Sequence, residues 1–243
     1  IILGWNHRVP AIAAELSRYM EKGSTLTIVA DIDDLEKRTE EIVLPTRNLE
    51  VFFVNADATQ NATLTKLDVL SYDHVVVMSY CDHMDLQSAD TRTLVTLLHL
   101  RALTANAGRR INIVSEMADV RNRELADITK ADDFVVSNKL VSLMLAQASE
   151  NEAAAAIFQD LLDEDGAEIY MRPADAYVTP DQPVNFLTVI ESARRRGETA
   201  FGYLRKRSGS PDPRNRAGVV LNPAKTDRIA FSRDDFIIVL AAG

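Results

Sequence analysis

The run Ile1-Ile2-Leu3-Gly4-Trp5-Asn6-His7-Arg8-Val9-Pro10 decides the fold. A short β-branched segment ends on a glycine and an amphipathic stretch from Pro10 to Met20 follows, so the chain opens as strand, tight turn and helix. The same alternation repeats outward from it. Strand-like runs stand at Ile1 to Trp5, Leu26 to Ala30, Val51 to Asn55, His74 to Ser79, Ile111 to Glu116 and Phe134 to Val136. Between the fourth and fifth of these, Ser88 to Ala105 carries a helical repeat through Leu94, Leu97, Leu98 and Arg101. Short apolar strands alternating with amphipathic helices imply βαβ units, and hence an α/β doubly wound parallel sheet with helices on both faces.

Residues 1–136 therefore read as a Rossmann-like lobe. Residues 137–165 break the alternation with two consecutive helices, Asn138 to Ala148 and Glu152 to Leu162, which suits a helical crossover. From 166 to 243, strand-like runs at Ile169 to Met171, Ala200 to Tyr203, Val219 to Leu221 and Phe236 to Leu240 surround one helix from Val184 to Arg196, a small α+β lobe. The stretch Lys206 to Arg216, KRSGSPDPRNR, reads as an exposed hairpin loop.

Composition narrows the function. With 27 Lys and Arg against 36 Asp and Glu, the net charge of −9 gives the chain no basic field to hold nucleic acid or an anionic membrane surface. A single cysteine, Cys81, allows neither an internal disulfide nor a cysteine zinc cluster, and fits a reducing, intracellular setting. No apolar window of about 18 residues and no basic leader is present, so the chain reads as a soluble part. It begins without an initiator methionine and is expected to be a piece of something longer, any membrane part lying outside it.

At the first turn only one glycine of a dinucleotide fingerprint is present. A pyrophosphate needs a second glycine for close backbone approach and a third for helix–strand packing, and those positions hold Asn6 and Val9. Gly4, Trp5 and Asn6 nevertheless occupy the place where such a lobe meets its ligand. Asp31, just past the second strand, stands where the ribose-binding acid belongs, or else caps the next helix; with Asp33 and Asp34 it also makes a cation site conceivable. Asp57 and Thr59 follow the third strand, pointing into the crevice at the carboxyl ends of the sheet or capping a helix. After the fourth strand, Asp82, Asp85, Asp90 and Arg92 crowd one rim; Ser88 or Asp90 is the expected helix cap, leaving Asp82, Asp85 and Arg92 for a ligand.

Catalytic patterns are missing. His7, His74, His83 and His99 lack the spacing of a helical zinc site, there is no nucleophile elbow or Walker lysine, and Cys81 has no recognisable base beside it. A sensor fits better than an enzyme. On the second crossover helix, Asp160, Asp163 and Glu164 place carboxylates on one edge, a half-site for calcium that Glu168 would help complete, or simply a solvated acidic face. Its apolar face, Ile157, Phe158, Leu161 and Leu162, together with Leu140, Val141, Met144 and Leu145, exceeds what a helical hairpin buries and asks for a second copy of the chain.

The opening ILGWN, the loop QSADTRTLVTLLHLR, the run AAIFQDLLDEDGAEIYMRP and the endings GVVLNP and DDFIIVLA resemble the Castor/Pollux ion channel family, whose soluble region is built of RCK (regulator of potassium conductance, TrkA-N-like) domains. The similarity spans nearly the whole chain. It implies an RCK N-lobe, a dimerising helical crossover and a C-lobe, assembled as homodimers into a gating ring that pulls on pore helices at the cytoplasmic side of a membrane. Gly4 and Trp5 match the family's first turn, Asp90 and Arg92 its post-strand loop. Phe158-Gln159-Asp160 resembles the crossover helix of calcium-gated RCK domains, where an Asp binds the ion, implying Ca2+ at Asp160. Asn55 stands where many RCK domains have Gly, and with Asn6 and Val9 it argues against a nucleotide. The competing readings are a stand-alone regulatory subunit of a potassium uptake system and an NAD-dependent oxidoreductase.

Overall fold

A computed structural model of the chain describes residues 1–33, 48–108, 111–122, 133–151, 153–162, 166–205 and 218–242. The chain divides into two compact units, residues 1–150 and 151–243, a boundary that falls between the two crossover helices.

The first unit runs β1 (Ile2–Leu3), α1 (Val9–Tyr19), β2 (Ser24–Ala30), β3 (Leu49–Asn55), α2 (Asn61–Lys66), β4 (His74–Val77), α3 (Leu86–Ala107), β5 (Asn112–Met117), β6 (Asp133–Val136) and α4 (Ser137–Glu150). Its six strands pair in parallel in the order β3-β2-β1-β4-β5-β6. The doubly wound sheet expected from the alternation is therefore present, and its order reverses between β1 and β4, where Leu3 lies opposite both Val29 and Val77. Consecutive residues of β1 serve opposite faces, as the strand period requires. Leu3 packs with Leu64, Val77, Leu97, Leu100 and Ile113, whereas Ile2 packs with Val9, Ala13, Ile28 and Met78.

The first strand is shorter than the apolar run suggested. Gly4 takes φ +106°, a conformation that ends the extended backbone, and a Cβ there would lie 2.2 Å from the carbonyl oxygen of Met78. That turn keeps the chain close against the end of the neighbouring β4 and leaves Trp5 buried. In α1, Pro10 sits in the first turn, where its missing N–H costs no helical bond. The cap of α3 also differs from expectation: Asp85, not Ser88 or Asp90, accepts from the backbone N–H groups of Gln87 and Ser88. The helix closes at the left-handed Gly108.

The second unit runs α5 (Ala154–Leu162), β7 (Ala167–Pro173), β8 (Pro183–Asn185), α6 (Phe186–Arg194), β9 (Thr199–Leu204), β10 (Val219–Leu221), β11 (Arg228–Ala230) and β12 (Phe236–Ala242). An antiparallel sheet in the order β10-β9-β12-β7 and a two-stranded pair of β8 with β11 enclose Phe186, Val189, Phe231, Ile237 and Val239. The helix expected from Val184 begins at Phe186, because Asn185 is its cap and Val184 belongs to β8. The expected hairpin at 206–216 lies outside the described residues.

Both crossover helices are exposed. On α4, Leu140, Val141, Leu143 and Leu145 show between 50% and 66% of their surface, and on α5, Ile157 and Leu162 show 54% and 67%.

Gly4→Ala is expected to cost about 3 kcal/mol or more, since positive φ and a backbone clash are imposed together. Urea denaturation of the variant measures this; an unchanged midpoint would mean that the turn relaxes freely.

Candidate functional site

The carboxyl ends of the parallel strands carry the polar groups of the first unit, and side chains from every strand between β1 and β5 meet there. Beyond the Gly4 turn, Asn6 is wholly buried. Its amide nitrogen donates to the carbonyl of Ser79 at 2.8 Å and to Glu116 at 2.7 Å, and its Oδ1 accepts from the backbone N–H of Arg8 at 3.0 Å. Arg8 answers on the other oxygen of Glu116 at 2.5 Å. The side chain that displaces the second fingerprint glycine is thus the knot that ties β1, β4 and β5 together. The backbone N–H of His7 is taken by Asp82 at 2.6 Å, and the same oxygen lies 2.7 Å from the imidazole Nδ1. At the start of α1, where a phosphate would find free N–H groups, the protein supplies its own carboxylate and amide oxygens.

A second cluster lies around Arg92. Its guanidinium reaches Asp57 at 2.8 Å and Asp31 at 3.2 Å, and sits 4.8 Å from the centre of the Tyr80 ring. The Tyr80 hydroxyl in turn accepts from the backbone N–H of Asp31 at 3.1 Å. Asp57 also accepts from the N–H and hydroxyl of Thr59, a local turn; it does not cap α2, whose cap position is Gln60. Burial pushes the Asp57 carboxyl up, but the Thr59 hydrogen bonds and the Arg92 charge outweigh it and hold it below the usual carboxylate range. Asp82 is likewise held low by His7 against its burial. Burial raises the Tyr80 hydroxyl. Cys81 is pushed up by burial and by Asp82 and Glu116, so it stays a thiol beside acids and makes a poor nucleophile.

The sequence expected Asp82, Asp85, Asp90 and Arg92 to converge on one rim, and the structure separates them. Asp85 is a helix cap. Asp90 is only 1% exposed, its oxygens holding the backbone N–H groups of Ala118 and Asp119 and the amide of Asn122. It anchors the loop after β5 and, buried among those three donors, has no face toward a ligand. Gly4 and Trp5 are buried packing residues. Asp31, Asp57 and Arg92 do come together, and Asp82 joins the Asn6 end. Asp34, Asp163 and Glu164 lie outside the described residues, while Asp160 is exposed on α5. Among the described residues no three His, Cys, Asp or Glu side chains gather as a metal site would need.

His7, Arg8, Tyr80 and Glu116 escaped the sequence reading. For Glu116 a signal existed: an acid closing an otherwise buried parallel strand must find a partner. A cavity of about 640 Å3 opens at the opposite, amino end of the sheet, lined by Ile2, Leu16, Met20, Leu26, Val76 and Val114 among others. Its lining also includes Asp73 and His74, but none of the paired charges described above.

No protein-family model matches the chain. Among characterised proteins it is 25% identical over 274 aligned positions to the ion channel CASTOR of Lotus japonicus, covering 99% of this chain and 31% of that protein. The probable ion channel CASTOR of Oryza sativa subsp. japonica is 24% identical, with 99% and 30% covered. The ion channel DMI1 of Medicago truncatula is 23% identical, with 100% and 31% covered. The proteins it resembles here are Castor- and DMI1-named ion channels. The Castor/Pollux resemblance thus extends over the full chain, which spans about 30% of the length of these relatives. In fold, the chain matches the human SLO3 gating ring at a TM-score of 0.66 and 11% identity, over 100% of this chain and 44% of that one. Among the described residues no helix is long and apolar enough to cross a membrane.

Asp90→Ala should lower stability by about 3 kcal/mol, because two backbone N–H groups and an amide lose their acceptor inside the protein. Asp90→Asn, which keeps one oxygen, should lose less. Equal losses in chemical denaturation would contradict the anchoring role.

Proposed function

We propose that this chain is the ligand-sensing gating domain of a Castor/Pollux-like cation channel, working on the cytoplasmic side of its membrane, and that it is not an enzyme. The observation that carries the reading is the match to ion channels from end to end of the chain, in a fold shared with a gating ring. The crevice agrees with it. Arg8 and Arg92 are engaged by carboxylates, Asp57 and Asp82 are held ionised, and the one thiol is held protonated, an arrangement built of mutual pairs rather than of a nucleophile with its base. A stand-alone regulatory subunit of a potassium uptake system would use the same lobe; an NAD-dependent oxidoreductase would need a phosphate seat that Asn6 and Asp82 fill. Patch-clamp recording of the full-length channel with this domain present or removed tests the reading. Gating that is indifferent to the domain would end it.

Assembly in this reading is a homodimer through α4 and α5 that builds toward a ring. A helix of 14 residues that leaves Leu140, Val141, Leu143 and Leu145 exposed cannot draw its stability from its own unit, and a second copy offers the same faces. Phe158→Asp is expected to turn a sedimenting dimer into a monomer. A parent chain that is monomeric at tens of micromolar would reject the dimer.

Nucleotide should bind weakly or not at all, with calorimetry finding no sub-micromolar NAD or NADH affinity; tight binding would restore the oxidoreductase reading. Calcium is the expected ligand of the acidic end of α5, at Asp160 with Asp163 and Glu164. An ion that binds only the folded chain at 100 times its Kd adds about 2.7 kcal/mol. Millimolar calcium should therefore raise Tm by several degrees, magnesium less, and Asp160→Asn should abolish the shift. An unmoved parent Tm would remove calcium from the reading and leave the channel domain in place.

A further inference from the structure

Arg92 projects from the second turn of α3 into a space bounded by three strand ends. It touches Asp31 after β2 and Asp57 after β3, and lies over Tyr80 after β4. Its side chain is 26% exposed and Asp57 is 23% exposed, so the contact between them is shielded from water on most sides. Asp31, at 51%, forms the open lip. Two carboxylates and an aromatic face are what a free guanidinium or ammonium would seek, and here a side chain of the same molecule already fills the place. The fit is incomplete: Arg92 Nε is buried and finds no hydrogen-bond partner among the described residues. An arginine that leaves one donor unsatisfied gives up part of the contact's net gain, which leaves the guanidinium easier to displace than a fully bonded one.

We propose that Arg92 is a tethered occupant of the crevice, a clasp that fastens the ends of β2, β3 and β4 to α3, and that a ligand of the crevice acts by taking Asp31 and Asp57 from it. A competitor for those two carboxylates has to be cationic. Displacement releases three strand ends from α3 at once, while Asp90, Leu97 and Leu100 keep the helix itself packed, so a local exchange of partners becomes a loosening of the carboxyl edge of the sheet. This deepens the sensing reading above by naming the contact that a ligand breaks. The same contact can be tested on this chain alone, with no channel present, so its failure and the failure of the gating reading are separate results.

Hydrogen exchange of the 243-residue chain tests the clasp. In Arg92→Ala the amides of Asp31, Ala56, Thr59 and Gln60, which are bonded around the clasp, should exchange faster by about tenfold, the scale of one charge-assisted hydrogen bond. Amides of Val76 and Met78, bonded to β1 away from the clasp, should keep their rates. Millimolar ethylguanidinium should restore protection in Arg92→Ala, while potassium chloride at equal ionic strength should not. Unchanged exchange at the four amides overturns the proposal, as does equal rescue by the two salts, which would reduce the contact to screening. If Arg92→Ala does not fold, Arg92→Lys carries the test: acceleration confined to the four amides supports the clasp, and uniform acceleration or none rejects it.

Discussion

Everything at the carboxyl end of the first unit depends on the backbone at Gly4. Its positive φ and the absence of a Cβ let the chain turn against the carbonyl of Met78. Only from that position does the Asn6 side chain reach the Ser79 carbonyl and Glu116 together. Asn6 then has both amide donors and its carbonyl oxygen bonded inside the protein, which is how a wholly buried amide is tolerated at the opening of the fold. The same turn sets the direction in which α1 leaves, and with it the position of His7 and Arg8 opposite Asp82 and Glu116. A glycine-rich loop would have kept this space for a phosphate; this chain uses one glycine for the turn and fills the rest with side chains.

The sheet was legible because short continuous apolar runs of β-branched residues separated by helical repeats leave few topologies open, and parallel strands with right-handed crossovers leave fewer still. The second unit was legible in outline only. Its three-residue strands β8 and β11 carry too few positions for a period, and β8 runs straight into the helix that Asn185 caps. The six-residue α2 was expected after Asp57 but without bounds, for the same reason.

Site residues divided along a physical line. Asp31, Asp57 and Arg92 were legible because charged groups at strand ends and on the first turns of a following helix share one edge of the sheet. Asp85 and Asp90 were confused because both are acids near a helix start, and sequence does not say which carboxylate faces its own helix and which faces a loop nearly thirty residues away. Glu116 was passed over because it looked like the end of a strand. Long-range partners decided each case: Asn6 with Glu116, Asp90 with Ala118 and Asp119, Arg92 with Asp57. Local spacing carries no record of such pairs.

The charge pattern of the crevice bears on what it is able to do. Proton transfer draws on groups poised near the working pH. Here the paired carboxylates of Asp57 and Asp82 are driven further into their ionised form and the thiol of Cys81 further into its neutral form, so the resting state moves away from proton transfer. What the arrangement does favour is exchange of partners. Arg8 and Arg92 each meet acids that come from other strand ends, and each pair joins elements far apart in the chain. Breaking one pair leaves a partly buried charge in search of a replacement, a cost met by a ligand of matching charge or by movement of the element that carries it. The position of Arg92 on α3 couples such an ion pair directly to the helix that supplies it.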